Sequence, residues 1–206
     1  MLSGIRIFIL TLLLTVSSFF VMPISSEAGQ YWDPQQSKWI VYREDPRFME
    51  ASVKRKYKRK LVRYRTDEEP GTIIVDTKGR YLYHVQSKGK AMRYGIGVGR
   101  DGFRWSGNEK VTRKAKWPGW TPPPEMRRRE AAKGRKLPSY MKGGPENPLG
   151  ARALYLGSTI YRIHGTNEAW SIGKAVSSGC FRMLNSDVEH LYEQVDIGTK
   201  VVIEQG

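Results

Sequence analysis

The chain has one cysteine, Cys180, in 206 residues. No disulfide can form within it, which excludes the usual staple of a small exported domain. Histidine is almost as scarce. His84, His164 and His190 are scattered, and with a single thiol they show no zinc-ligand spacing. No metal and no cofactor is therefore expected. Beyond the first 22 residues, no apolar run approaches the roughly 20 residues that span a bilayer. Acidic residues are few, 20 against 35 Lys and Arg, which leaves a net charge of +15. No segment repeats.

What is present begins with an export pattern. In "MLSGIRIFILTLLLTVSSFFVMPISSEAGQYW", Arg6 precedes an apolar core from Ile7 to Met22, and Pro23 breaks that core. Ser26-Glu27-Ala28 then puts small residues at the −3 and −1 positions of a cleavage site, predicting a signal peptide over 1–28. Its two charges, Arg6 and Glu27, cancel, so the mature chain keeps the basic excess. A basic protein seeks polyanions, nucleic acid first among them. Export points instead to lipid head groups and envelope polymers, so no nucleic-acid partner is expected and the chain belongs in the periplasm or cell envelope.

Residues 29–69 read as a basic extension. Eight Lys or Arg fall between Lys54 and Arg65. Val53, Tyr57, Leu61 and Tyr64 fit one face of a basic helix, while Leu61 to Arg65 also reads as a short strand; both readings stay open. "TDEEPG" (66–71) supplies an acidic, Pro-Gly boundary, and residues 70–206 form the main domain. There the texture turns to short β-rich segments with turn punctuation. "TIIVD" meets "RYLYHV" across Thr77-Lys78-Gly79, and "KAMRYGIGVG" follows Ser87-Lys88-Gly89. "ARALYLG" and "TIYRIHG" flank Gly157-Ser158, which suits a two-residue II′ turn. "KVVIEQG" supplies a final strand. These are hairpins rather than βαβ units, so the fold class is mainly β, a β-sandwich or closed sheet. One helix is well signalled: Ser186 and Glu189 form a capping box, and Val188, Leu191, Tyr192 and Val195 share a face. A shorter helix is expected in "AWSIGKAV". Residues 101–150, rich in Pro, Gly, Trp and Arg, read as one long ordered loop over the site, with Trp105, Trp117 and Trp120 packed rather than free.

A cysteine nucleophile needs a base for its proton and donors for the developing oxyanion. His164 ends a strand directly before Gly165, where catalytic side chains commonly sit. His84 alternates with tyrosines on a strand and His190 sits on the polar side of the helix. His164 and Cys180 are 16 positions apart, enough to leave a strand and return. Gly179 allows the close turn that points successive amides at one oxygen. Arg182 offers a planar fork for a carboxylate, or else a structural ion pair.

Taken together, "RIHGTNEAWSIGKAVSSGCFRM" (162–183) closely resembles the catalytic signature of the L,D-transpeptidases with a YkuD-type domain. The resemblance extends through "PGTIIVDTKGRYLYHV", "RYGIGVG", "NPLGARALYL" and "GTKVVI", over residues 70–204. It implies a β-sandwich of antiparallel or mixed sheets, with one or two short helices and a long Trp/Pro-rich loop. It implies an enzyme acting on peptidoglycan stem peptides. Cys180 would attack the bond between the L-configured centre and the terminal D-alanine, and His164 would carry protons. The Gly165 carbonyl would orient the imidazole, the amides of Gly179 and Cys180 would line the oxyanion hole, and Arg182 would meet a substrate carboxylate. Ser178, Trp120 and Trp170 are the further candidate substrate contacts. The acyl acceptor could be a stem amine, an envelope protein or water, the last making the enzyme an L,D-carboxypeptidase. A non-catalytic wall-binding module is the rival from another class. Carbapenem-type β-lactams are expected to acylate the thiol. One departure stands out: where the family often has His directly before Gly-Cys, this chain has Ser178, which leaves His164 as the base.

Overall fold

The computed structural model describes residues 29–33, 38–42, 53–100 and 105–205. The expected signal segment and its cleavage point lie outside the described residues. β1 (Gly29–Asp33) and β2 (Lys38–Tyr42) pair antiparallel as a two-stranded ribbon. A 3-10 turn, Arg55–Tyr57, leads to β3 (Lys60–Arg63). The basic tract is thus a turn and a strand, not a helix.

The main body follows as β4 (Ile73–Asp76), β5 (Tyr81–Gln86), β6 (Lys90–Gly95), β7 (Val98–Gly99), β8 (Gly107–Lys116), β9 (Arg152–Leu156), β10 (Arg162–His164), β11 (Ala175–Ser177), β12 (Phe181–Arg182) and β13 (Lys200–Glu204). Nine strands form one mixed sheet in the order β12-β10-β9-β8-β13-β4-β5-β6-β3. Its β13–β4 and β10–β12 contacts are parallel. The fold class is therefore mainly β, as expected, with parallel pairs among the hairpins. β7 and β11 pair separately, also parallel.

The hairpin expectations hold at β4–β5 and β5–β6. In the first, the Asp76 carboxylate accepts the Gly79 amide at 2.7 Å, which closes the turn. β9 and β10 also pair antiparallel, but the strands stop at Leu156 and resume at Arg162. Their link is a five-residue loop rather than the expected two-residue turn. Thr159 ties it down, donating its hydroxyl to the Leu156 carbonyl at 2.6 Å.

β8 corrects the reading of 101–150 as one loop. Its first half pairs with β13 and its second half with β9, and the register slips between Val111 and Arg113. The irregularity falls where the strand passes from one partner to the other. Side chains from both halves meet in a single core, with Ile73, Val75 and Leu82 from one side and Leu154, Ile163 and Phe181 from the other. The sheet therefore curls over its own apolar face.

α1 (Pro124–Ala131) lies in the long segment after β8, and α2 (Asn185–Tyr192) follows β12. α2 buries Val188 and Leu191, with Val195 beyond its end, so its expected face is the core face. The capping box does not form: the helix carries no side-chain cap. Asn185 instead turns its Oδ1 to the Ala151 amide at 2.9 Å, which ties the helix start to β9. At the other end Lys114 donates to the carbonyls of Tyr192 and Val195, at 2.7 and 2.6 Å. A cation there satisfies acceptors that the last turn leaves open. "AWSIGKAV" holds a 3-10 turn, Ala169–Ser171, and then β11, so the expected second helix there is one short turn.

Candidate active site

The site follows from two short parallel strands. In the β10–β12 register Ile163 faces Phe181 and His164 faces Arg182. Ile163 and Phe181 are buried in the core. Side chains alternate along a strand. Arg162 and His164, and Cys180 and Arg182, therefore project from the opposite face. All four line one cleft of about 90 Å³. Its far wall is the segment after β8, through Trp120, Pro123 and Met126. The segment thus covers the cleft through these residues, and Trp105 packs on the core, but Trp117 stands exposed rather than packed as expected.

The turn before Cys180 is held by Ser177, a residue that motif reading passed over. Its hydroxyl donates to the Cys180 carbonyl at 2.6 Å and its Oγ accepts the Gly179 amide at 3.2 Å. Gly179 has φ +107, a conformation that strains any residue with a Cβ. The glycine is needed for the turn itself, and its amide is engaged by Ser177. Cys180 is partly buried, with Sγ 3.9 Å from the Ile160 carbonyl.

His164 is buried, and its Nδ1 lies 2.5 Å from the Gly165 carbonyl. A carbonyl only accepts, so Nδ1 carries the proton and Nε2 keeps a lone pair. Two backbone bonds fix the strand end: Met183 donates to the His164 carbonyl at 2.8 Å, and Gly165 donates to Arg152 at 3.0 Å. Burial pushes the imidazole down to about 3, helped by the charges of Arg182 and Arg162 and opposed by the Gly165 and Leu149 carbonyls. Burial also pushes the Cys180 thiol up, against Arg162 and Arg182, which favour thiolate. Desolvation therefore wins at both groups. Burial thus disfavours the charged form of both the thiol and the imidazole.

The remaining sequence candidates divide. Of the two roles open for Arg182, the ion pair is the one seen, with Glu168 as partner. Ser178 lines the cleft and its Oγ accepts from Arg129 of α1 at 3.2 Å, joining the turn before Cys180 to the overlying segment. Trp120 lines the cleft and pairs its backbone with Met141, both bonds at 2.8 Å. Trp170 does not reach the cleft: it lies in a second cavity, with the Lys174 ammonium 4.8 Å from its ring. His84 is buried against Gln86, and His190 bonds the Tyr94 hydroxyl at 2.9 Å. Among the described residues, no three His, Cys, Asp or Glu side chains cluster as metal ligands. Sequence reasoning missed Arg162, Glu168 and Arg129. Only Arg162 had a signal, its position two residues before His164 on one strand.

Comparison with known proteins points to one family. The YkuD family of L,D-transpeptidase catalytic domains matches residues 70–203. The probable L,D-transpeptidase ErfK/SrfK of Escherichia coli K12 is 38% identical over 135 residues, 65% of this chain and 43% of that protein. The chain thus spans less than half the length of that relative. A Brucella melitensis protein described as a probable carnitine operon oxidoreductase is 43% identical, with 78% of this chain and 100% of that one covered at a TM-score of 0.49. An L,D-transpeptidase from Mycobacterium smegmatis has the same fold, with a TM-score of 0.50 at 14% identity, covering 65% of this chain and 58% of that one.

Proposed function

The chain belongs to the YkuD family of L,D-transpeptidase catalytic domains, and we propose that it is an exported enzyme that transfers peptidoglycan stem acyl groups through Cys180. The observation that carries this reading is the shared face of β10 and β12, which puts His164 and Cys180 in one cleft with the imidazole lone pair unspent on Gly165.

In the first step the Cys180 proton passes to His164 Nε2 as sulfur attacks the carbonyl carbon of the third stem residue. The carbonyl oxygen becomes an oxyanion, held by the Cys180 amide and the Gly179 amide, which must leave Ser177 to reach it. The intermediate collapses, the bond to D-alanine breaks, and the imidazolium protonates the departing amine. A thioester remains. An acceptor amine then attacks it, gives its proton to His164, and releases the thiol, which takes that proton back. Both groups are neutral before and after, so proton transfer is confined to the time when a carbonyl occupies the cleft.

Arg182, paired with Glu168, holds its fork in a fixed orientation. Arg162 is the stronger of the two cations acting on the thiol. Ser178 acts through Arg129, holding the overlying segment, and Trp120 forms part of the wall against substrate. Residues 1–28 serve as the export signal, 29–69 as the extension and 70–206 as the catalytic domain, with β3 of the extension paired to β6. The product belongs in the cell envelope. The acceptor is a stem amine or an envelope protein. Carbapenem-type β-lactams would acylate Cys180.

Defined tetrapeptide muropeptides and mass spectrometry test this directly. Release of D-alanine with cross-linked dimers is expected, and Cys180→Ala or His164→Ala abolishes it. Shortened tripeptides alone would make the enzyme a carboxypeptidase. Full release by the Cys180→Ala protein would refute the thiol mechanism.

A further inference from the structure

The basic tract finds its place in a second cavity, apart from the cleft that holds Cys180. Val53 and Tyr57 are buried against Ala169, Ile172 and Leu184. That anchorage sets Lys54 and Lys56 on one wall of a cavity of about 390 Å³, whose other walls carry Arg80, Trp170 and Lys174.

The walls are fixed by close contacts. Gly173 has φ +82, and a Cβ there would lie 2.1 Å from the Tyr57 ring. Bare backbone is what lets the ring pack so near. The Gly173 carbonyl accepts from Arg80 Nη1 at 2.7 Å and from the Tyr57 hydroxyl at 3.5 Å. Arg80 itself has φ +62, which is uncommon for a residue with a long side chain. Lys174 sits over the Trp170 ring, whose Nε1–H is buried with no hydrogen-bond partner among the described residues. An orphaned buried donor is rare and calls for an explanation.

Independently of that donor, the charged residues on the cavity walls are uniformly basic. Lys54, Lys56, Arg80 and Lys174 converge on this cavity, and no carboxylate lines it. No Asp or Glu of the described residues pairs with any of the four. Like charges in a concave wall repel one another and raise the local potential, which draws in an anion. A lone carboxylate would balance one of four cations. A phosphate group, with a charge of about −1.5 to −2 and three acceptor oxygens, balances more.

We propose that this cavity binds a phosphate-bearing anion, held among Lys54, Arg80 and Lys174 beside the Trp170 ring. The same group could arrive as free phosphate or as the head group of an anionic lipid. The site stands on residues outside the catalytic cleft, so it does not depend on the acyl-transfer reading.

The test uses the 206-residue chain, labelled with 15N, at constant sodium chloride. The Trp170 indole resonance is assigned with Trp170→Phe. Inorganic phosphate is titrated in one arm. Phosphatidylglycerol vesicles are titrated in the other, with phosphatidylcholine vesicles as baseline. A saturable shift of that resonance is expected, and the Lys54→Gln/Lys174→Gln protein should bind at least tenfold more weakly. Both positions are exposed, so the variant should fold. A response to phosphate assigns the free anion, and a response to phosphatidylglycerol alone assigns the head group. A resonance unmoved in both arms, or a double variant that titrates like the parent, would overturn the proposal.

Discussion

The buried imidazole makes stability depend on pH in a way that one substitution removes. In the unfolded chain His164 takes up a proton near 6.5. In the native protein burial holds it to about 3. Between those values the unfolded state binds one more proton than the native state, so stability falls as pH falls below 6.5. Each pH unit is worth about 1.4 kcal/mol, so the loss at pH 5 is about 2 kcal/mol relative to pH 7.5. The perturbation is His164→Asn, which fills part of the same space with a side chain that does not titrate. Urea unfolding of both proteins at pH 7.5 and 5 gives the difference. His84 and His190 are also pushed down by burial, but they are common to both proteins and cancel. The expected result is that the parent loses about 2 kcal/mol more than the variant on acidification. His164→Gln serves equally if the Asn variant folds poorly, because the argument rests on slopes rather than absolute values. Parallel stability–pH curves would refute the reasoning, since they would mean that the native imidazole is solvated and takes its proton normally.

Other perturbations follow from the same contacts. Arg162→Gln removes the leading cation opposing the upward shift of the thiol. The iodoacetamide reaction of Cys180 should then slow several-fold at pH 8, with its midpoint moved to higher pH; an unchanged midpoint would show that the guanidinium does not act on sulfur. Gly179→Ala forces a Cβ into φ +107 and should cost about 1–3 kcal/mol in urea melts, with stem-peptide turnover falling further than stability explains. Lys114→Met strands the carbonyls of Tyr192 and Val195 and should cost about 1–3 kcal/mol, measured the same way, while leaving turnover of the folded enzyme unchanged.

The sequence made some features plain and hid others for physical reasons. The β4, β5 and β13 segments carry dense β-branched or aromatic residues, so their existence could be read directly, and turn chemistry gave the β4–β5 pairing; the partners of β13, which are β4 and β8, could not be read. β8 could not. In "GNEKVTRKAK" only Val111 is buried among charged, largely exposed neighbours. Its strand state comes from being paired on both edges, a tertiary cause that local pattern does not record. α1 escaped notice because it buries no residue and three arginines dominate its face. The expected N-cap on α2 is displaced because the helix begins at Asn185, behind Leu184, so Ser186 lies inside it rather than at its cap. Trp170 was grouped with the site because it lies between His164 and Cys180 in the chain. The 3-10 turn rotates it into the other cavity, a rotation that spacing alone does not encode.

The lone thiol has a coherent explanation on the proposed reading. An exported cysteine meets oxidants, and susceptibility follows thiolate character and exposure. Here Cys180 is partly buried beneath an ordered segment, and burial holds its proton on. His164 is neutral, so no imidazolium is available at rest to pull the thiol toward thiolate. Such a pair reacts slowly with small oxidants in the open site. It becomes nucleophilic when a carbonyl enters the cleft and the proton can pass to Nε2. The serine at 178 fits this arrangement. An imidazole there would be a second base beside the thiol, with the capacity to ionise it at rest, whereas Ser178 Oγ serves as the acceptor through which Arg129 joins α1 to the catalytic turn. Substrate-dependent activation, rather than a standing thiolate, is what this arrangement of charges and burial favours.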